Sequence, residues 1–322
     1  MGVKKLENHG SLPEENLILF DWLTFTISTD EFQFAIELLG MADCPWEQME
    51  RGLNGYPNRK YFGGISILYG ASEEMGVCVN MSGQGCRSYE SYGMNDWPYL
   101  IRTITGNGES FNITRLDMAF DDHTGLLDLN RLRDDTEDQN YVSRSRKWKI
   151  EYGSDGTTIY HGSMKSNIMI RIYDKAAERG YDADTHWIRC EIQMRDDIAT
   201  GFCNGLLGQS VGTQFRGVLH NYLRYVEPLN DGNRSRWPMT DYWEELLDGV
   251  GRIQCWTAPG VDYNMSHLEN FVIRQAGNAI DVYLQINGWA RLFDQLHNRD
   301  VELSPKYKHI LQQYGIDPEG GV

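Results

Sequence analysis

The sequence predicts an α+β protein of antiparallel sheets, with a ferredoxin-like β-α-β-β-α-β order in its first half and a helical C-terminal region. Three observations predict it. Residues 111–122, 168–175 and 186–195 each alternate apolar and charged side chains with the period of a strand, so each carries one stripe for a core and one for a ligand. Strand and helix patterns in the first half follow one another in the split β-α-β order. From residue 266 to 315 the apolar positions (Leu268, Phe271, Val272, Ile280, Val282, Leu284) recur at helical spacing.

In chain order, residues 1–15 are polar and read as a flexible N-terminus. Residues 17–28 (LILFDWLTFTIS) are rich in aromatic and β-branched side chains and read as a strand. Ser28, Thr29 and Asp30 offer a cap for a helix over 31–41, with Phe32, Ala35, Ile36 and Leu39 on its inner face. Pro45, Gly52, Gly55 and Pro57 mark 43–59 as a loop, and 60–69 with 75–81 read as a hairpin across Gly70-Ala71-Ser72. No Walker lysine follows Ser82-Gly83-Gln84-Gly85, so that run reads as a turn before a helical region ending near Thr105. The strand at 111–121 completes the motif. Such a sheet is covered by helices on one face and leaves the other open, a platform suited to single-stranded nucleic acid.

The second half reads as a helix at 126–134, strands at 142–152, 157–161, 168–175 and 187–194, and helices at 196–207 and 220–226. A charged loop at 230–237 and the helical tail follow. We therefore expect a flexible segment 1–15, a catalytic α+β domain 16–228 and a mainly helical region 229–322. Trp237, Tyr242 and Trp243 are expected in a core.

The 322 residues, 41% hydrophobic, suffice for a substantial core. No apolar run approaches the ~20 residues of a membrane span, and MGVKKLENHG lacks a secretory apolar segment. A cytoplasmic protein without membrane association is expected. Six cysteines without finger or C-x-x-C spacing imply reduced thiols and no zinc site. The net charge of −16 opposes binding to a polyanion. Between 140 and 180, however, Arg144, Arg146, Lys147, Lys149, Lys165, Arg171, Lys175 and Arg179 outnumber Glu151, Asp155, Asp174 and Glu178, giving a locally basic segment.

The charged stripes offer Asp117, Tyr173 and Glu191 near the middles of their strands, and neighbouring strands would make them converge. Tyr173 lies between Arg171 and Lys175, two cations that favour a phenol acting on a phosphate. Two carboxylates beside it suit a hard divalent cation, Mg²⁺ or Mn²⁺, and so metal-assisted phosphoryl transfer. The loop 163–166 presents Lys165 and Ser166 as phosphate contacts or as a plain polar turn, and His161 reads as a bystander.

The runs RLDMAFDD, TTIYHGSMKSNIMIRIYDKAAER and WIRCEIQMRDD, and the W-P-x-x-x-Y-W run at 237–243, resemble the replication initiation factor family. This family includes rolling-circle initiators of small staphylococcal-type plasmids and relaxases of integrative and conjugative elements. The resemblance implies that Tyr173 nicks one strand at an origin and stays joined to the 5′-phosphate, with Asp117 and Glu191 binding the metal. Arg171, Lys175 and Arg189 would then neutralise the phosphate charge, and Asp121 would be a third ligand or a base for the Tyr proton. Lys165, Ser166, Arg115, Arg144, Arg146 and Lys147 would contact origin DNA, single-stranded or melted. A host helicase is implied as a partner, and a homodimer is left open. The alternative is a non-catalytic DNA-binding regulator of a phage or plasmid with the same fold.

Overall fold

The computed structural model describes residues 15–106, 110–153, 156–182, 184–249, 251–252, 272–273 and 277–298, with single positions 311, 314 and 316. The chain divides into two compact units, Met1–Trp256 and Thr257–Val322.

In the first unit, β1 (Leu17–Ile27), α1 (Phe32–Leu38), β2 (Glu47–Met49), β3 (Asn58–Phe62), β4 (Ile65–Tyr69) and β5 (Val77–Met81) come first. Next are α2 (Gly83–Tyr92), α3 (Trp97–Gly106), β6 (Phe111–Asp122), α4 (Leu129–Glu137), β7 (Tyr141–Ser143), β8 (Trp148–Gly153) and β9 (Gly156–His161). The unit continues with β10 (Ile168–Asp174), α5 (Lys175–Arg179), β11 (Ile188–Arg195), α6 (Asp196–Gly205), α7 (Val211–Tyr222), β12 (Leu223–Tyr225) and α8 (Asp241–Leu247). Ten strands make one sheet in the order β2-β3-β4-β5-β1-β6-β11-β10-β9-β8. Every neighbouring pair is antiparallel. Within it β6-β1-β5-β4 has the spatial order expected of the split β-α-β motif. A meander from β11 to β8 extends that motif by four strands.

Helices cover the apolar face: α2 packs on β1, α1 on β4, and α3 and α6 on β6. Alternation supplies the residues they meet. Ile168, Ile170 and Ile172 of β10, and Ile188, Cys190, Ile192 and Met194 of β11, are all buried there. Each such aliphatic side chain contributes roughly 1.5–3 kcal/mol on burial. The α2 N-terminus is capped by Ser82, whose hydroxyl accepts from the Gly85 N–H, and that of α4 by Asp128, whose carboxylate accepts from Asn130 and Arg131.

Several boundaries differ from the sequence reading. Residues 60–69 are not one strand but two, because Gly63 (φ 48°) and Gly64 (φ 91°) form a two-residue hairpin turn between Phe62 and Ile65. A Cβ on Gly64 would lie 2.5 Å from the Gly85 nitrogen. Gly64→Ala is therefore expected to cost about 1–3 kcal/mol in chemical denaturation, through the positive φ and the close approach to α2. Residues 47–49, within the expected loop, pair with β3 as a short edge strand. The expected strand 142–152 is split, with β7 leaving the main sheet to pair with β12, which occupies part of the expected helix 220–226. Trp243 and Tyr242 are buried, and α8 packs on α7, so the first unit extends past residue 228.

Two bulges shape the open face. Between β1 and β6, Phe20 pairs with Met118 and Trp22 with Asp117, which leaves Asp21 as an extra residue. Thr24 pairs with Arg115 and Phe25 with Ile113, leaving Thr114 extra. A bulge resets the alternation. Ile113 therefore points into the core, although strict alternation along residues 111–122 would put it on the face of Arg115, while Asp21 and Trp22 both reach the charged face.

In the second unit the described residues include α9 (Gly277–His297), interrupted by Gly288 at φ 73° and ψ 164°. Much of the expected helical tail lies outside the described residues. Among the described residues no helix is long and apolar enough to cross a membrane.

Candidate active site

The open face of β10, β11 and β6 brings the central residues together through register. Arg171 lies opposite Glu191 and Tyr173 opposite Arg189; Arg189 lies opposite Asp121 and Gln193 opposite Asp117. Cross-strand partners share a face, so Tyr173, Glu191 and Asp117 occupy one surface. A cleft of about 460 Å³ opens over it, lined by Asp117, Arg171, Tyr173 and Lys175, with Asp21 and Trp22 of the β1 bulge along the wall.

The Tyr173 hydroxyl donates to Glu191 Oε2 at 3.3 Å, and Lys175 Nζ donates to the same hydroxyl at 3.5 Å. Arg171 Nη2 holds the other Glu191 oxygen at 2.5 Å. Glu191 is fully buried. Burial pushes its carboxyl up to about 7; Arg171 opposes the rise, and Asp117 and Asp21 add to it. The Tyr173 phenol is raised well above its ordinary value, first by burial and then by Glu191, with Arg189 and Arg171 opposing. The Lys175 ammonium is lowered by burial and then by Arg189, against its ion pair with Glu178. A phenol beside a carboxylate that titrates near neutrality can pass its proton across one hydrogen bond.

Two arginine forks brace this centre. Arg115 chelates Asp117 through Nε at 2.9 Å and Nη2 at 2.5 Å, and its guanidinium stacks 4.1 Å from the Trp22 ring centroid. Arg189 chelates Asp121 at 2.6 and 2.7 Å, and its Nη1 reaches Asp21 at 2.7 Å. Asp121 thus has both oxygens engaged beneath Arg189. Arg189 itself is buried, 4% exposed. Arg189→Ala would strand two acids, one of them fully desolvated. A loss of about 3–5 kcal/mol of stability is expected from chemical denaturation.

The remaining residues singled out in the sequence fall elsewhere. Arg144, Arg146, Lys147 and Ser166 line a separate depression of about 460 Å³. Lys165 is exposed on the intervening turn, where the Ser163 and Ser166 hydroxyls bond each other at 2.9 Å. His161 is fully buried against the Tyr225 hydroxyl and pushed down to about 3 by burial, so it is a neutral core histidine. Asp21 and Glu178 were missed. The signal for Asp21 was the three-residue step from Phe20 to Leu23 in an otherwise alternating strand.

Among the described residues no group of three or more His, Cys, Asp or Glu side chains is arranged to hold a metal. Magnesium seldom needs one, being held by one or two carboxylates with water and substrate phosphate completing the shell. The donor set here is of that kind: Glu191 and Asp117 are buried carboxylates on one face, and a cation would take over oxygens that Arg171, Tyr173 and Arg115 hold in this structure.

The match to known proteins covers most of the chain. The model of the replication initiation factor family matches residues 111–300, and that of the rolling-circle replication initiation protein N-terminal domain matches residues 17–98. A relative from Bacillus subtilis, "Putative DNA relaxase NicK", is 25% identical over 98% of this chain and 95% of its own. A replication initiation protein from Staphylococcus aureus is 35% identical over 31% of each chain. The solved rolling-circle replication initiator protein of Geobacillus stearothermophilus superposes with a TM-score of 0.68 at 29% identity. It aligns over 76% of this chain and 100% of its own.

An antiparallel sheet with a tyrosine and carboxylates on its open face, matched over 76% of the chain by an initiator structure, defines the class of DNA replication initiators and relaxases. The chain belongs to the replication initiation factor family.

Proposed function

We propose that the chain is a tyrosine DNA strand transferase that nicks one strand at an origin. The observation that carries the proposal is the Tyr173 hydroxyl, held in an open cleft between Glu191 Oε2 and Lys175 Nζ. Its oxygen attacks the scissile phosphorus, forming a tyrosyl–phosphate bond while the bond to the 3′ oxygen breaks. The products are a 5′-phosphotyrosine and a free 3′-hydroxyl. The phenolic proton passes to Glu191, the leaving 3′ oxygen takes up a proton from solvent water, and the ester retains the bond for rejoining. Lys175 and Arg171 flank the reacting oxygen and oppose the negative charge that grows on the phosphate.

Asp117 and Glu191 would hold Mg²⁺ or Mn²⁺, which would supply Lewis-acid stabilisation of that charge. Arg189 acts through its grip on Asp121 and Asp21, which fixes β11 and the β1 bulge. Arg144, Arg146, Lys147, Lys165 and Ser166 take the strand beyond the cleft. The family resemblance extends the proposal to a catalytic region over 16–228 acting in the cytoplasm, with a host helicase and a second copy of the chain as partners.

The test is to mix the protein with Mg²⁺ or Mn²⁺ and single-stranded DNA from the origin of its own element, and to map adducts by peptide mass. A DNA adduct on Tyr173 is the expected result. Cleavage without an adduct would replace the proposal with a metal-dependent phosphoesterase. Binding with neither would favour the regulator.

A further inference from the structure

We propose that a second cavity, adjoining the Tyr173 cleft, is a nucleobase subsite that takes one unstacked base of the single strand flanking the scissile phosphate. The proposal rests on the strand-transfer reading above. The cavity holds about 590 Å³, within the range of roughly 300–1,000 Å³ of small-ligand sites. Tyr160, Trp148 and the exposed Met164 supply its apolar surface over the buried Met169, and Arg146, Lys147 and Lys149 stand around it.

Its position follows from register. Tyr160 on β9 lies opposite Arg171 on β10 and opposite Lys149 on β8, so all three share the open face. Met169 lies on that face two residues before Arg171. Tyr160 lines both cavities, so a chain whose phosphate sits at Tyr173 and Arg171 has its next available wall at the Tyr160 ring. That hydroxyl is hydrogen-bonded to Glu151, leaving the ring as the surface on offer.

The chemistry selects the occupant. Aromatic rings beside the Met164 thioether offer aromatic faces and polarisable sulfur, which suit any base without reading its edge. Three cations against the single acid Glu151 make this a basic rim in a chain of net charge −16. They match the phosphates on either side of an inserted base. A paired base, stacked in a duplex, has no free face for the ring. The subsite therefore discriminates melted from duplex origin, and contributes to positioning the scissile phosphate rather than to bond breaking.

The experiment uses the full chain and fluorescently labelled single strands of the origin, each carrying one abasic site near the nick. Binding is read by anisotropy and adduct formation on Tyr173 in parallel. Wild-type protein is expected to bind about 10-fold more weakly to the strand abasic at one position, by analogy with stacking platforms. Tyr160→Ala should bind the intact strand about 10-fold more weakly and be indifferent to that abasic site. Tyr160→Phe, which keeps the ring, should behave as wild type. Circular dichroism confirms that the variants fold. An abasic penalty of the same size in Tyr160→Ala, or none in wild type, overturns the subsite while a Tyr173 adduct leaves the strand-transfer reading standing. Failure of wild-type protein both to bind and to form the adduct overturns the two together.

Discussion

Tyr173→Phe is expected to abolish the covalent adduct and with it strand nicking, a loss on the order of 10⁴-fold or more, while binding of the origin strand is unchanged. Removing a nucleophile leaves only what binding and charge stabilisation contribute, which is why the loss is so large. The substitution is close to isosteric. The ring is 8% exposed and sits 5.6 Å from the Arg171 guanidinium and 5.4 Å from the Lys175 ammonium, contacts that phenylalanine keeps. Only the oxygen is lost, with its bond to Glu191 and the one it accepts from Lys175. A denaturing gel of end-labelled single strand, with anisotropy for binding, separates the two effects. An adduct surviving in the Phe protein would assign the chemistry elsewhere. Tyr160, the other tyrosine lining the cleft, would then be the first residue to map.

How much of this was legible in the sequence follows from what period-2 alternation can and cannot encode. It placed Tyr173, Arg171, Glu191 and Arg189 on one face, because β10 and β11 run without interruption and face assignment in a regular strand is purely local. It failed at Ile113 and overlooked Asp21 because a bulge, which shifts every later residue to the opposite face, is fixed by pairing with a partner strand. The hairpin at Gly63-Gly64 was legible in principle, since two adjacent glycines suit a tight turn; the run Gly70-Ala71-Ser72 competed for the same role. The pairing of β7 with β12 joins residues far apart in the chain, a contact no local pattern announces. Locally basic residues were visible at 144–147, but their place in a separate depression depends on the sheet order.

Glu191→Gln tests the proton-transfer step through pH as well as rate. The wild-type carboxyl, raised to about 7, is protonated in mildly acidic solution and cannot then accept the phenolic proton. The rate of adduct formation is expected to rise about tenfold per pH unit below the carboxyl's midpoint, near 7 before metal binds, and to level off above it. Bound Mg²⁺ favours the carboxylate, so raising its concentration should move the midpoint down. Glutamine keeps the size of the side chain and can still accept from Arg171, yet it neither takes a proton nor carries charge. The rate should fall about 10²- to 10⁴-fold, and the rising limb should vanish. A wild-type profile flat through pH 7, or a variant that keeps the limb, would remove Glu191 from the proton path. Stability should move in the opposite sense. A carboxyl whose folded pKa lies above its unfolded value of ~4.3 binds more protons when folded, so its contribution is fully present below that value and is lost as pH rises through about 7. Denaturation of wild type without metal should show that decline, and the glutamine protein should not. A residue that helps the reaction most where it helps the fold least is there for the chemistry, and the two pH profiles measured together distinguish that from a carboxylate kept for packing.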